Sequence, residues 1–278
     1  MIGLSHIPAV LMVALKLSIA ALFILPFALG QVLKAKFTRE DWYYFLSAGV
    51  LGGSFAQLTQ VISRYSFTPS ASDIAFWLSV SPVFSVFLAY FFLRERISFA
   101  KFVGIATGVL AMILVLGSWE RPSTFSPLVR YPREELVIIL SALCWAGFTL
   151  IAKRMATRHP PMVSAAMTLS VGSVVPLVWS IANGQFAAVS RLGNGDWVLL
   201  IILGVVGAGL AYLLWFQALG QTDTTKCLVV LMSTPVALTL LRGTEIWTGV
   251  TGPSPMIEVP LRMGILLTVL GVVAVWKD

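Results

Sequence analysis

Eight stretches of this chain carry no charged residue and are almost wholly apolar: Tyr43 to Ser63, Ile74 to Leu93, Phe102 to Trp119, Leu136 to Ala152, Met162 to Ile181, Trp197 to Leu219, Cys227 to Leu241 and Met263 to Trp276. A ninth, His6 to Leu29, is interrupted by one charge, Lys16. A helix needs roughly 17 to 25 apolar residues to cross the bilayer hydrocarbon, so most of these stretches fit and the two from Cys227 and Met263 are short. With 58% hydrophobic and 11% charged residues, the chain lacks the polar surface to coat a soluble domain. The pattern predicts an all-α polytopic membrane protein with about nine transmembrane helices, its partner the lipid bilayer.

The charge pattern narrows this further. A net charge of +7 on a soluble chain would suggest nucleic acid, but here the basic residues sit in short clusters between apolar runs, so no nucleic-acid role is expected. Alternating the loops across the membrane puts eleven Lys and Arg on one side and seven on the other. The richer side, which holds Lys34, Lys36, Arg39, Arg94, Arg96, Lys101, Lys153, Arg154, Arg158, Lys226 and Lys277, is expected in the cytoplasm. That leaves the C-terminus inside and Met1 outside. The first segment begins without a basic flank and reads as a retained helix, not a cleaved leader. Cys144 and Cys227 both lie in apolar runs, so neither a disulfide framework nor a metal motif is expected.

The chain also repeats itself. Asp41-Trp42 recurs as Asp196-Trp197, and at the same offset of 155 Gly49, Gly52 and Ala56 match Gly204, Gly207 and Ala211. Ser81-Pro82 then matches Thr234-Pro235, and Gly104 and Ala111 match Gly264 and Gly271. An odd number of crossings separates the matched helices, so the halves run in opposite directions through the bilayer. Inverted repeats of this kind are characteristic of secondary transporters, with substrate near the midplane between the halves. The expected organisation is a first repeat over residues 1–118, a loop over 119–133 and a second repeat over 134–278. The first half is one helix short, as if a five-plus-five plan had lost its opening helix.

These residues resemble the EamA-type branch of the drug/metabolite transporter superfamily over nearly the whole chain. The resemblance rests on Ser81-Pro82-Val-Phe followed by Leu93-Arg-Glu95-Arg and Gly104, on Trp42 with Gly49 to Gly53, and on Tyr212-Leu-Leu-Trp215-Phe-Gln-Ala-Leu219 with Thr234-Pro235. It implies ten helices as two inverted five-helix repeats, and outward transport of small metabolites. Two features depart from the family: its first helix is absent, and Arg242 to Arg262 replaces the second-half turn.

Lys16 stands where the family usually has a basic residue, and a cation inside a span costs a few kcal/mol unless it faces a cavity or partner. It either binds an anionic substrate group or snorkels to the outer interface. Ser54, Gln57, Gln60 and Arg64 fall on one helical face that lipid would not tolerate, so this face is expected to look inward. Their repeat partners Gly209, Tyr212, Trp215 and Leu219 turn the same face into an aromatic wall. Substrate contact and plain interhelical hydrogen bonding both fit these polar residues. Trp77 and Trp145 can stack on substrate, whereas Trp42, Trp119, Trp197 and Trp276 fit interface anchors. Pro82 and Pro235 are expected to break their helices and shape or gate the site. Asp73 and Lys226 are repeat mates, with Asp73 a helix-start carboxylate or a proton carrier, and Glu95 reads as a turn brace. Gly104 and Gly108 suit close helix packing or a homodimer face.

The expected function is a secondary transporter moving small organic metabolites, such as amino acids or similar amphipathic solutes, outward by alternating access. Lys16, Gln57, Gln60, Trp77, Trp145, Tyr212 and Trp215 would bind substrate, with Pro82 and Pro235 at the helix breaks. A proton is the candidate coupling ion, and no cofactor, metal or catalytic residue is expected. A non-transporting membrane fragment, a channel or an integral membrane enzyme are the alternatives; no charge ring, filter sequence or catalytic motif supports the last two.

Overall fold

The computed structural model describes residues 6–66, 82–94, 98–115 and 132–231, together with 266–267, 269–270 and 272–273. Trp77, Asp73, Glu95, Trp119, Pro235, Trp276 and the stretch from Arg242 to Arg262 lie outside the described residues.

Every described element is helical: α1 (Ala9–Lys34), α2 (Arg39–Ala48), α3 (Ala56–Ser66), α4 (Pro82–Leu93), α5 (Phe99–Val115), α6 (Pro132–Arg158), α7 (Pro161–Ala182), α8 (Asn194–Gly204), α9 (Ala211–Gln221) and α10 (Thr224–Leu231). Five helical runs are long and apolar enough to span a bilayer: Ala9–Lys34, Arg39–Ile62, Ile139–Arg158, Pro161–Ala182 and Asn194–Gln221. They fall on five of the nine apolar stretches. Pro82–Leu93 and Phe99–Ala111 are shorter apolar helices on two more. The protein is an all-α polytopic membrane protein.

The two longest composite spans share a device absent from the sequence reading. Between α2 and α3 the backbone widens into a π-helical turn, Gly49–Phe55, and between α8 and α9 into another, Val205–Leu210. These lie at the repeat offset. Both helices also begin alike. In the first, the Asp41 carboxylate accepts from Thr38 N (2.8 Å) while the Thr38 hydroxyl accepts from Asp41 N (3.2 Å), a full capping box. In the second, Asp196 accepts from Gly193 N at 2.9 Å, which is the half of that box a glycine permits.

The chain divides into two compact units, one from residues 1–68 with 147–221 and the other from 69–146 with 222–278. In the first, α1 packs along α7, and α7 along the first π turn. The core there is built of small residues on α1 and α7, among them Ala14, Ala20, Ala165 and Ala166, filled by Phe45, Phe148 and Phe216. In the second, α5 and α10 pack together. The Lys101 ammonium, almost fully buried, bonds Asp223 at 3.0 Å.

Candidate functional site

The first π turn sets the site because its glycines let it press against the backbone of α7 and the ring of Phe148. A β-carbon on Gly53 would stand 2.6 Å from the Gly172 Cα, and one on Gly52 would collide with the Phe148 ring. Ser54 locks this approach by donating from its hydroxyl to the Gly172 carbonyl at 2.8 Å. Widening to π geometry leaves some carbonyls without the usual helical partner and offers them to side chains. The Gly52 carbonyl takes the Tyr212 hydroxyl at 2.8 Å.

One turn beyond, at the start of α3, Gln57 is buried, and its Oε1 accepts from the Lys16 ammonium at 2.6 Å. The Gln57 side chain also bonds the Tyr212 hydroxyl. With Oε1 engaged by Lys16, the amide NH2 is the group left to face that oxygen. Lys16, Gln57 and Tyr212 thus form one polar chain inside the first unit. Gln57 and Tyr212 lie at the repeat offset of 155. Phe148 walls the chain, its ring centroid 5.6 Å from Tyr212 and 6.1 Å from Phe216.

Lys16 breaks the symmetry. The caps Pro8 and Pro160 set α1 against α7 at an offset of 152, which puts Thr168 at the counterpart of Lys16. The Thr168 hydroxyl is fully buried with no hydrogen-bond partner. One half therefore holds a cation where the other holds an unsatisfied hydroxyl. Lys16 sits among the buried Val13, Ala14, Leu15, Leu17 and Ala20, and its Nζ points at Gln57.

The remaining expected site residues divide. Trp215 lies on α9 in the same unit, partly buried, its indole N–H without a partner. Gln60 is partly buried one turn along α3 from Gln57. Trp145 is partly buried on α6 and belongs to the other unit. Pro82 is buried and is the first described residue of α4, so any break before it lies outside the described residues. Gly104 and Gly108 are both buried on α5.

Two features went unread in the sequence. Phe148, the wall between Gly52 and Tyr212, looks like any apolar span residue. The two histidines stand at helix starts. His159, just before α7, stands 3.0 Å from the Asp41 carboxylate in a nest of Phe37 and Phe45 rings. His6, just before α1, stands 3.2 Å from Asp196. Each histidine precedes a helix of one half and holds the aspartate of the other. The recurrence of Asp-Trp at offset 155 signals the aspartates; nothing local signals their partners.

A profile of the EamA-like transporter family matches residues 1–117 and 133–244. The transporter YyaM of Bacillus subtilis (strain 168), itself uncharacterized, is 22% identical over 256 residues, 91% of this chain and 79% of its own. The aromatic amino acid exporter YddG of Ancylobacter novellus is 23% identical over 246 residues, 84% of this chain and 78% of its own. One solved crystal structure superposes with a TM-score of 0.74 at 20% identity, over 97% of this chain and 88% of that one, a likeness of fold.

Proposed function

Because the chain belongs to the EamA-like transporter family, we propose that it is a secondary carrier that moves small carboxylate-bearing metabolites, amino acids first among them, outward by alternating access. The observation that carries this reading is Lys16, a cation inside a span whose one hydrogen-bond partner among the described residues is the neutral Gln57. In its protonated form, a buried lysine satisfied only by an amide is a ready ligand for a carboxylate, a charge-assisted bond about twice as strong as a neutral one. Tyr212 and Phe148 offer an aromatic flank for an amphipathic solute, and the name of one relative, an aromatic amino acid exporter, agrees with it.

In this reading Gln57, Gln60 and Trp215 extend the site from the first unit. Trp77 and Trp145 remain candidates for substrate contact, and Pro82 and Pro235 for helix breaks, elsewhere in the chain. The residue ranges 1–118 and 134–278 act as the two inverted repeats. The protein works as a carrier and not as an enzyme, in the cytoplasmic membrane with its C-terminus inside. A homodimer through the glycines of α5 is compatible with transport but not needed for it.

The test is counterflow in proteoliposomes preloaded with pooled amino acids and organic acids, with Lys16→Ala beside the natural chain. Accumulation of a labelled solute, reduced about tenfold or more in the variant, is the expected result; that factor is worth about 1.4 kcal/mol of site interaction. Equal accumulation in both would remove Lys16 from the site, and none in the natural chain would remove the carrier reading.

A further inference from the structure

We propose that Lys16 also carries the coupling proton, taking one up from the same side and at the same time as the substrate carboxylate. This rests on the carrier reading above, and it concerns what the empty site does with its charge.

Lys16 lies eight residues into α1, about 10 Å from the helix start at 1.5 Å per residue, and so within the roughly 30 Å of hydrocarbon. The elements packed against α1 are α3, α7, α8 and the second π turn. Neither α7 nor that π turn has a charged or titratable residue. On α8 the only one is Asp196, at the helix start and engaged by His6. On α3 they are Arg64 and Tyr65, seven and eight residues beyond Gln57. The nearest titratable neighbour is the Tyr212 hydroxyl, already given to the Gly52 carbonyl. Among the described residues no carboxylate reaches Lys16.

An isolated ammonium in such surroundings is costly, and a group so placed sheds its charge when no counter-ion is present. The neutral amine keeps its bond to Gln57 by donating one N–H to Oε1. A carboxylate changes the balance. The amine takes a proton from the adjoining aqueous side, forming the third N–H bond of an ammonium, and the ammonium then pairs with the anion. On the far side the carboxylate leaves, the ammonium loses its reason to stay charged, and the proton follows. One proton therefore moves with each substrate in the same direction, so outward transport runs down the substrate's own gradient and carries a proton out with it, and an imposed inward proton gradient reverses it. A monocarboxylate is carried without net charge, and a zwitterionic amino acid with a charge of +1. The bond partner also explains the residue type: an acidic residue at position 57 would hold the ammonium charged permanently, whereas an amide serves both forms of the amine.

The experiment uses the full chain in proteoliposomes with L-phenylalanine and 3-phenylpropionate as probes and a pH-reporting dye inside. Counterflow at equal pH tests the carrier itself. An inward proton gradient of one unit should then drive roughly tenfold accumulation of 3-phenylpropionate over the no-gradient level, with the dye reporting acidification that starts with the added probe. Membrane voltage should alter L-phenylalanine flux and leave 3-phenylpropionate flux alone. Lys16→Arg, which cannot deprotonate, should lose gradient-driven accumulation, and whatever counterflow it retains should no longer vary with pH as that of the natural chain does. Counterflow in the natural chain together with no proton movement during gradient-driven uptake overturns the inference and leaves the carrier reading standing. So does full gradient-driven accumulation by Lys16→Arg. No counterflow of either probe overturns the reading for aromatic carboxylates, and the inference with it.

Discussion

The two π turns have the same backbone and opposite surroundings. Gly49–Phe55 is pressed from both sides, Gly53 against the Gly172 backbone and Gly52 against Phe148, whereas in Val205–Leu210 the counterpart of Gly53 is Ala208 and a β-carbon on Gly207 would meet only Leu203 at 3.9 Å. The side chains that follow diverge likewise, Ser54 and Gln57 in one half against Gly209 and Tyr212 in the other. A duplicated helix thus kept its backbone geometry while one copy became the packing hinge of the unit and the other supplied an aromatic wall. In the proposed carrier the difference matters, since a symmetric pair of copies would present the same group to substrate from both sides of the membrane.

The sharpest way to break this comparison is steric. Gly53→Leu should cost about 3 kcal/mol or more, because backbone cannot retreat from a new side chain, and folded protein in detergent should fall accordingly. Gly207→Ala, in the looser turn, should leave melting unchanged or raise it by up to about 1 kcal/mol. Equal effects would mean the two turns are packed alike. Gln57→Leu comes next. It strips Lys16 of its partner and should cost about 2 kcal/mol, with counterflow falling further than in Tyr212→Phe, which leaves the Lys16–Gln57 bond in place and loses the hydroxyl's neutral bonds to Gly52 and Gln57 at about 1 kcal/mol each.

The helix starts allow a gentler comparison. Asp41 is buried and bonds the Thr38 backbone and hydroxyl beside His159, whereas Asp196 bonds the Gly193 backbone beside an exposed His6. Asp41→Ala should cost about 2 kcal/mol and Asp196→Ala about 1 kcal/mol, read as a difference in melting temperature. Smallest is Arg94, which ends α4 in the left-handed region at φ 54°. Arg94→Gly should stabilise by about 1 kcal/mol, because glycine adopts that conformation without steric cost.

How much of this was readable in the sequence follows from the range of each interaction. Spans were legible because lipid forbids charge over a fixed length, and the charge-free run from Trp197 matches its helix closely. Asp41 and Asp196 were legible as repeated marks, since capping acts across three residues. Lys16 and Gln57 were each picked out as polar groups that lipid would reject, but their bond spans 41 positions and no local pattern announces it. The π turns were hidden for a different reason: apolar periodicity over seven residues does not separate π from α geometry when both faces are packed. The histidine contacts were hidden because a position at a segment end fits solvent as well as it fits a distant carboxylate.

The crossed histidine–aspartate pairs have a consequence for how the protein is made. His6 leaves the ribosome 190 residues ahead of Asp196, and the first unit needs the stretch 147–221 before it can close. α1 must therefore enter the bilayer with its leading end untied and wait through the synthesis of the intervening helices. During that interval Lys16 has no Tyr212 beyond Gln57 to complete its polar chain. Quality-control proteases and insertion factors should meet this nascent form more often than the finished one, and a ribosome stalled before residue 221 should release a chain they clear.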